Sequence, residues 1–413
     1  MSRRAVITGI GVAAPSGMGV DAHWKTVIAG ESRIGRITLF DPARYPTTLA
    51  GEVADLAVED HVPSKVAAQT DRWTWLGFAA AGEALADAGI DPAALEPYSM
   101  AATLASSSGG NLFGQKELQR LWSKPARTVG AYQSIAWFYA ASVGQLSIHH
   151  QLKGPSSVLC AEAAGGLDSL AHAARTVRRG TPVVLAGGTE CPLSPYALAC
   201  QQRGGWLTER TDPLGAYLPF DADADGYVPA EGGAVFVVED LEHALARGAE
   251  VIYGEVAGWG ATHDGASTVR GGAGSAEHYA AALRRAVERA GLAPSEVDAL
   301  FPDALAVPGY DQSEAAAIRA ALGPAVPVTT QKSLVGRLYQ GGSALDVATA
   351  LLAMRRGLLP ATTGLRTPAP GCADLNFVRE PRTGPIGAAV VGARGFDGFN
   401  SALAIRAYRP EET

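Results

Sequence analysis

The sequence is poor in the residues on which site chemistry most often turns. It holds four cysteines (Cys160, Cys191, Cys200 and Cys372), too few and too scattered for a disulfide framework or a CxxC metal site. No histidine follows His278. No GxGxxG opens a helix after a strand with an acidic residue beyond it, so the dinucleotide-binding fingerprint is missing. No block of lysine or arginine stands out, and the net charge of −7 argues against non-specific nucleic-acid binding. The apolar run at the N-terminus is broken by Gly9, Gly11, Pro15 and Gly17, which leaves no signal-peptide core, and no stretch reaches membrane-spanning length. These absences lead us to expect a reduced, cytoplasmic protein with no cofactor and no metal.

What is present is ordinary globular material in an amount too large for one small core. A length of 413 residues, 47% apolar and 18% charged, predicts two domains or one duplicated unit. β-Rich runs at 6–8, 101–105, 157–160, 183–186, 234–238, 251–258, 326–329, 388–391 and 402–407 alternate with helical stretches. The helical stretches include 73–88, 111–122, 164–178, 276–290, 312–322 and 343–354, the pattern of an α/β protein with buried sheets. Two glycine-rich strand endings, Leu185-Ala186-Gly187-Gly188 and Val391-Gly392-Ala393-Arg394-Gly395, each come late in a run of strand–helix units. They predict duplicated halves over 1–245 and 246–413.

Four segments carry a resemblance. Asp71-Arg72 opens a helix that ends in Ala84-Leu85-Ala86-Asp87-Ala88-Gly89. Gly154-Pro155-Ser156-Ser157 leads to Gly165-Gly166-Leu167-Asp168. Phe220-Asp221 precedes Asp225-Gly226-Tyr227-Val228 and Glu231-Gly232-Gly233-Ala234. Lys332-Ser333-Leu334-Val335-Gly336-Arg337 precedes Gly357-Leu358-Leu359-Pro360. In this order they resemble the β-ketoacyl synthases over essentially the whole chain. The resemblance implies a thiolase-like fold, two duplicated βαβαβαββ halves in a five-layer α-β-α-β-α core.

In that family a cysteine at a strand-to-helix elbow takes the acyl group, and two histidines assist decarboxylation and hydrogen-bond the enolate. On this sequence the cysteine position, five residues before Asp168, is Ala163; the first histidine position, eight before Asp311, is Asp303; the second is Arg337. A methyl group has no lone pair to attack with. A carboxylate repels a developing enolate, and a guanidinium stays protonated and shuttles no proton near neutral pH. All three chemical groups are missing.

Departures of this kind resemble the chain-length factors, the ketosynthase β subunits of type II polyketide synthases. Ala131-Tyr132-Gln133-Ser134-Ile135-Ala136-Trp137-Phe138-Tyr139 and Gly336-Arg337-Leu338-Tyr339 are similar to that branch's signatures. Such a subunit usually carries an acidic residue followed by Gln at the nucleophile position. Here Glu162 is kept and Ala163 replaces the Gln. The resemblance implies a heterodimer with a catalytic ketosynthase α subunit and an acyl carrier protein that bears the growing chain. It implies interface roles for Tyr132, Gln133, Trp137 and Phe138. Asn111, Gly114 and Leu118, on one helix face, would line the polyketide tunnel, and their modest size implies a roomy one. The alternative is a malonyl-carrier-protein decarboxylase supplying the starter unit, with backbone amides near Phe396 as its oxyanion site.

Plainer readings stand beside these. Cys160 reads as a buried structural thiol, and Cys191 and Cys200 as core or subsurface thiols. Asp303 and Arg337 either pair in the old active-site space or serve separate loops. Lys332 is structural or catalytic. The aromatics at 137–139 belong to the core or to an interface.

Overall fold

The computed structural model describes residues 3–123, 129–265 and 274–409. Among these, a twelve-stranded sheet contains β1 (Ala5–Ala14), β2 (Met100–Ala105), β3 (Ser157–Leu159), β4 (Val183–Glu190), β5 (Gly232–Asp240), β6 (Gly254–His263), β7 (Ala299–Phe301), β8 (Pro327–Val328), β9 (Asn376–Phe377), β10 (Ala388–Gly395) and β11 (Phe399–Arg406), with a short twelfth strand, Gly17–Met18, paired to β1. The principal helices are α1 (Val20–Ala29), α2 (Arg72–Ala88), α3 (Asn111–Ser123), α4 (Gln133–Ala136), α5 (Ala141–His149), α6 (Gly165–Arg178), α7 (Pro195–Gln202), α8 (Ala276–Arg289), α9 (Pro308–Leu322) and α10 (Gln340–Arg356).

The duplication is written in the strand pairings. In the first half β1 pairs β5 antiparallel, β5 pairs β4 antiparallel, and β4 pairs β2 and β2 pairs β3 in parallel. The second half repeats this sequence of partners and directions with β6, β11, β10, β7 and β8. Val6↔Glu255 and Ile7↔Gly254 then join the first strands of the two halves. Helices α6 and α10 pack on each other and on strands of both halves, whereas α2 lies on β1 and β5 and α8 on β6 and β11. The result is the five-layer thiolase-like arrangement.

The outer helices approach their strands closely because glycine pairs allow it. A Cβ at Gly9 or Gly11 would meet the Ala84 or Ala80 carbonyl oxygen of α2 at 2.1 or 1.9 Å. Gly258 and Gly260 of β6 stand in the same relation to Ala286 and Ala282 of α8, at 2.1 and 2.0 Å. α10 is buried from Gln340 to Met354, as a helix sandwiched on every side must be. No helix among the described residues is long and apolar enough to cross a membrane.

α1 is tied to this central layer by His23, which is fully buried between Ser16 Oγ (2.7 Å) and Thr349 Oγ1 (2.9 Å). Burial lowers its pKa from 6.5 to about 4. A histidine kept neutral by folding is destabilising wherever only the unfolded chain takes the proton. Stability is therefore expected to fall as pH drops from 6.5 towards about 4. His150, lowered to about 4 by burial and by His149, adds to the slope. Urea titrations across that window are expected to show a shallower pH slope for His23→Gln than for the parent chain; an unchanged slope removes His23 from the account.

Candidate functional site: a buried charge cluster and an exposed aromatic face

β3 ends at Leu159, and one turn at Glu162–Ala164 swings the chain into α6. Glu162 takes a left-handed backbone (φ 47°), a conformation most side chains resist, so this elbow is held against a local preference. Ala163 sits buried at its tip, with its carbonyl accepting a hydrogen bond from Ser343 Oγ at 2.6 Å.

Asp303 arrives on a loop that needs two left-handed alanines, Ala304 (φ 53°) and Ala306 (φ 62°). Two buried carboxylates of α9 fix that loop. Glu314 accepts from the Asp303 and Ala304 amides, each at 2.8 Å, and from the Tyr279 hydroxyl at 3.1 Å. Asp311 accepts from the amides of Ala306 (3.0 Å) and Phe220 (2.6 Å). Burial raises the pKa of both acids.

Arg337 follows the left-handed Gly336 (φ 88°) and points inward. Its guanidinium donates to Asp303 Oδ2 at 3.1 Å and to the Arg394 carbonyl at 3.0 Å, and lies 3.7 Å from Glu162 Oε2. Burial works against its charge, but Asp303 and Glu162 outweigh it and raise its pKa well above the ordinary value. The Asp303–Arg337 pair therefore exists, and it occupies the space around Ala163. Lys332 completes the group with bonds to the Pro302 carbonyl (2.9 Å) and to Asp346. These residues, with Ser343 and Ala393, close on one another and leave no room for a water molecule.

Glu162 is held by two backbone amides. The Phe396 amide donates to its Oε2 at 2.7 Å, and the Ala163 amide also bonds this carboxylate. Burial raises the Glu162 pKa, with Arg337 and the two amides opposing. Both amides are thus engaged by a carboxylate of the chain itself. A cavity of about 810 Å³ opens beyond, walled by Glu162, Trp206, Tyr310, Arg337, Tyr339 and Phe396. Ala163 does not line it. Glu162 was read from the sequence only as a kept acidic residue; its partner amide lies 234 positions away and carries no local signal.

The remaining candidates lie around α3. Asp71 caps this helix by accepting from the Phe113 amide at 2.9 Å, and caps α2 by accepting from the Arg72 amide at 2.7 Å. The buried face of α3 is Asn111, Gly114 and Glu117, whereas Leu118 is 49% exposed. The three expected tunnel residues are thus divided between the chain's interior and its surface. Of the expected interface residues, Tyr132, Trp137 and Phe138 are exposed, with Tyr139 beside them, and Gln133 is half-buried. This resolves the choice between core and surface for the aromatics. Two thiols need correcting: Cys160 and Cys200 are exposed, and Cys191 alone of those three is buried. Cys160 follows β3, the last strand of the sheet among the described residues.

The family model of the β-ketoacyl synthase N-terminal domain matches residues 2–244, and that of the C-terminal domain matches residues 253–366. The chain belongs to the β-ketoacyl synthase family. It is 47% identical over 403 residues to the tetracenomycin polyketide synthase ketoacyl synthase beta subunit of Streptomyces glaucescens, covering 97% of this chain and 98% of that one. It is 46% identical over 407 residues to the actinorhodin polyketide putative beta-ketoacyl synthase 2 of Streptomyces coelicolor, covering 98% and 99%. The solved ishigamide ketosynthase/chain length factor matches with a TM-score of 0.90 at 27% identity, over 99% of this chain and 100% of that one. Within this family, then, the chain carries Ala163, Asp303 and Arg337 packed together in a dry cluster.

Proposed function

We infer that this β-ketoacyl synthase family member is a chain-length factor. It pairs with an active ketosynthase α subunit and shapes the tunnel in which a poly-β-ketone grows on an acyl carrier protein. One observation carries the reading: Glu162 and Arg337 stand between Ala163 and the open cavity, and between them consume the amides and the space that acyl chemistry requires. The same occupancy weighs against the starter-unit decarboxylase, which needs those amides free. The full-length likeness to a named beta subunit supports the assignment.

The partner surface in this reading is the uncovered face beside α3. Trp137 (51% exposed) and Phe138 (57%) lie there with Tyr132, a cluster of aromatics of the kind that protein interfaces cover. Among the described residues the edge of β3 has no further strand paired to it, and asks for cover as well. Asn111, Gly114 and Leu118 form the part of α3 assigned to the tunnel. The four free cysteines fit a reducing cytoplasm.

Co-expression with a cognate ketosynthase tests the assignment. The two chains are expected to co-purify as a heterodimer, and the ketosynthase to lose its normal product when this chain is withheld. Separate elution, or the same product from the ketosynthase alone, refutes it.

A further inference from the structure

The cavity of about 810 Å³ beyond Glu162 is of the size that holds a small organic molecule. Its wall is largely aromatic. Trp206 stands between the rings of Tyr310, at 4.9 Å, and Phe396, at 5.1 Å, each meeting it at a steep angle. Tyr227 and Tyr339 line the cavity too, their rings 6.2 Å apart and nearly perpendicular. Ring faces and edges set this way favour a flat arene, which gains from each aromatic contact beyond the area it buries.

The hydrogen bonds around the two phenols run in one direction. Gln201 Nε2 donates to the Pro192 carbonyl at 2.8 Å and to the Ala197 carbonyl at 3.2 Å, which leaves the amide oxygen as an acceptor. The Tyr339 hydroxyl donates to that oxygen. Its proton is thereby committed, so in the 3.1 Å contact between the two hydroxyls Tyr227 is the donor. The lone pairs of the Tyr227 oxygen remain for a donor from elsewhere. Burial pushes the Tyr227 pKa up to about 12 and raises that of Tyr339 well above its ordinary value, so both stay neutral. Tyr339 keeps this place despite a left-handed backbone (φ 55°).

Charge narrows the ligand further. The Arg337 guanidinium faces two carboxylates, Asp303 at 3.1 Å and Glu162 at 3.7 Å, which leaves no surplus positive charge there for an anion. Arg394 turns to the Tyr310 carbonyl at 3.2 Å and lies over the Tyr310 ring, and Arg203, also on the lining, is exposed to solvent. A carboxylate has about four acceptor positions, and the Phe396 and Ala163 amides take two of those on Glu162. The inner wall therefore offers acceptors, and what matches them is a neutral donor.

We propose that this cavity binds a planar aromatic molecule bearing neutral hydroxyl groups, with its ring among Trp206, Tyr310 and Phe396 and a hydroxyl donating to the Tyr227 oxygen. The ligand class is a phenol and not a phosphate or a carboxylate. This site stands apart from the chain-length-factor reading: co-purification with a ketosynthase tests that reading, ligand binding tests this one, and either can fail without the other.

The probe is β-naphthol, titrated calorimetrically into the full chain, alone and in its heterodimer. Its methyl ether keeps the ring and loses the proton, and is expected to bind about three- to tenfold more weakly, the worth of one hydrogen bond. β-Naphthoate, an anion of the same outline, is expected to bind more weakly than the ether. Cys200 is exposed and lines the cavity, whereas Cys160 is exposed outside it. β-Naphthol is therefore expected to slow alkylation of Cys200 and to leave that of Cys160 unchanged, read by peptide mass spectrometry. Tyr227→Phe is expected to bind naphthol and ether alike. The inference is overturned if naphthol does not bind, if the ether or the naphthoate binds as tightly, or if Cys200 is not protected. If Tyr227→Phe does not fold, the ligand series on the parent chain decides the matter without it.

Discussion

Arg337→Ala is expected to destabilise the chain by about 3–5 kcal/mol, the range for breaking a buried ion pair on one side. The size follows from what is left behind. Asp303 is 2% exposed and would lose its cation, and Glu162, whose pKa burial already raises, would lose the charge that opposes that shift. The Arg394 carbonyl would lose its donor as well. Pairing Arg337→Leu with Asp303→Leu is expected to recover much of the loss, because apolar groups of matching volume need no compensation in a dry site. The check is the urea midpoint of each variant at constant m-value. A loss below about 1 kcal/mol, the range of an exposed pair, would mean that this cluster is wetter than its burial implies. Neither variant is expected to gain condensing activity, since no nucleophile or histidine returns.

Glu231→Ala is expected to cost a similar amount, about 3–5 kcal/mol. Glu231 is fully buried and accepts from Arg72 Nε and Nη2, both at 2.7 Å, from the Val53 amide at 2.8 Å and from Cys191 Sγ at 3.0 Å. Its loss strands a guanidinium that is only 16% exposed and frees the residue next to Asp71. Because Asp71 caps both α2 and α3, the disturbance reaches the aromatic face without any direct contact. Hydrogen exchange in the first turn of α3 is therefore expected to quicken in Glu231→Ala, alongside the drop in urea midpoint. A midpoint shift with unchanged exchange at Leu112 and Phe113 would confine Glu231 to general stability.

Much of the architecture was legible because it rests on local patterns. The apolar runs at 183–186, 234–238 and 388–391 became central strands of the sheet, and the glycine-rich endings after 185 and 391 lie in equivalent strands of the two halves. β7 is three residues of Ala-Leu-Phe, too short for a periodic signal. α1 and α5 begin without a side-chain cap, so neither announces its start.

The positions of the cluster were legible in the sequence; the contacts its residues make were not. Counting from Asp168, Asp311 and Gly336 locates Ala163, Asp303 and Arg337 without coordinates. That Glu162 turns back onto the Phe396 amide depends on a left-handed backbone and a long-range contact, and neither has a sequence signature. The cysteines misled for a related reason. Burial preference is an average over positions, and Cys160 lies beyond the end of an edge strand while Cys200 lines the open cavity.

Glu162 also has a bearing on how this chain could change over time. Its carboxylate is a competitor tethered to the site it blocks, so its local concentration is set by the backbone and cannot be diluted away. A cysteine arising at position 163 would meet occupied amides on one side and an immovable cation on the other. A thiol placed there by mutation would therefore compete with a carboxylate and a cation that the fold already holds in position.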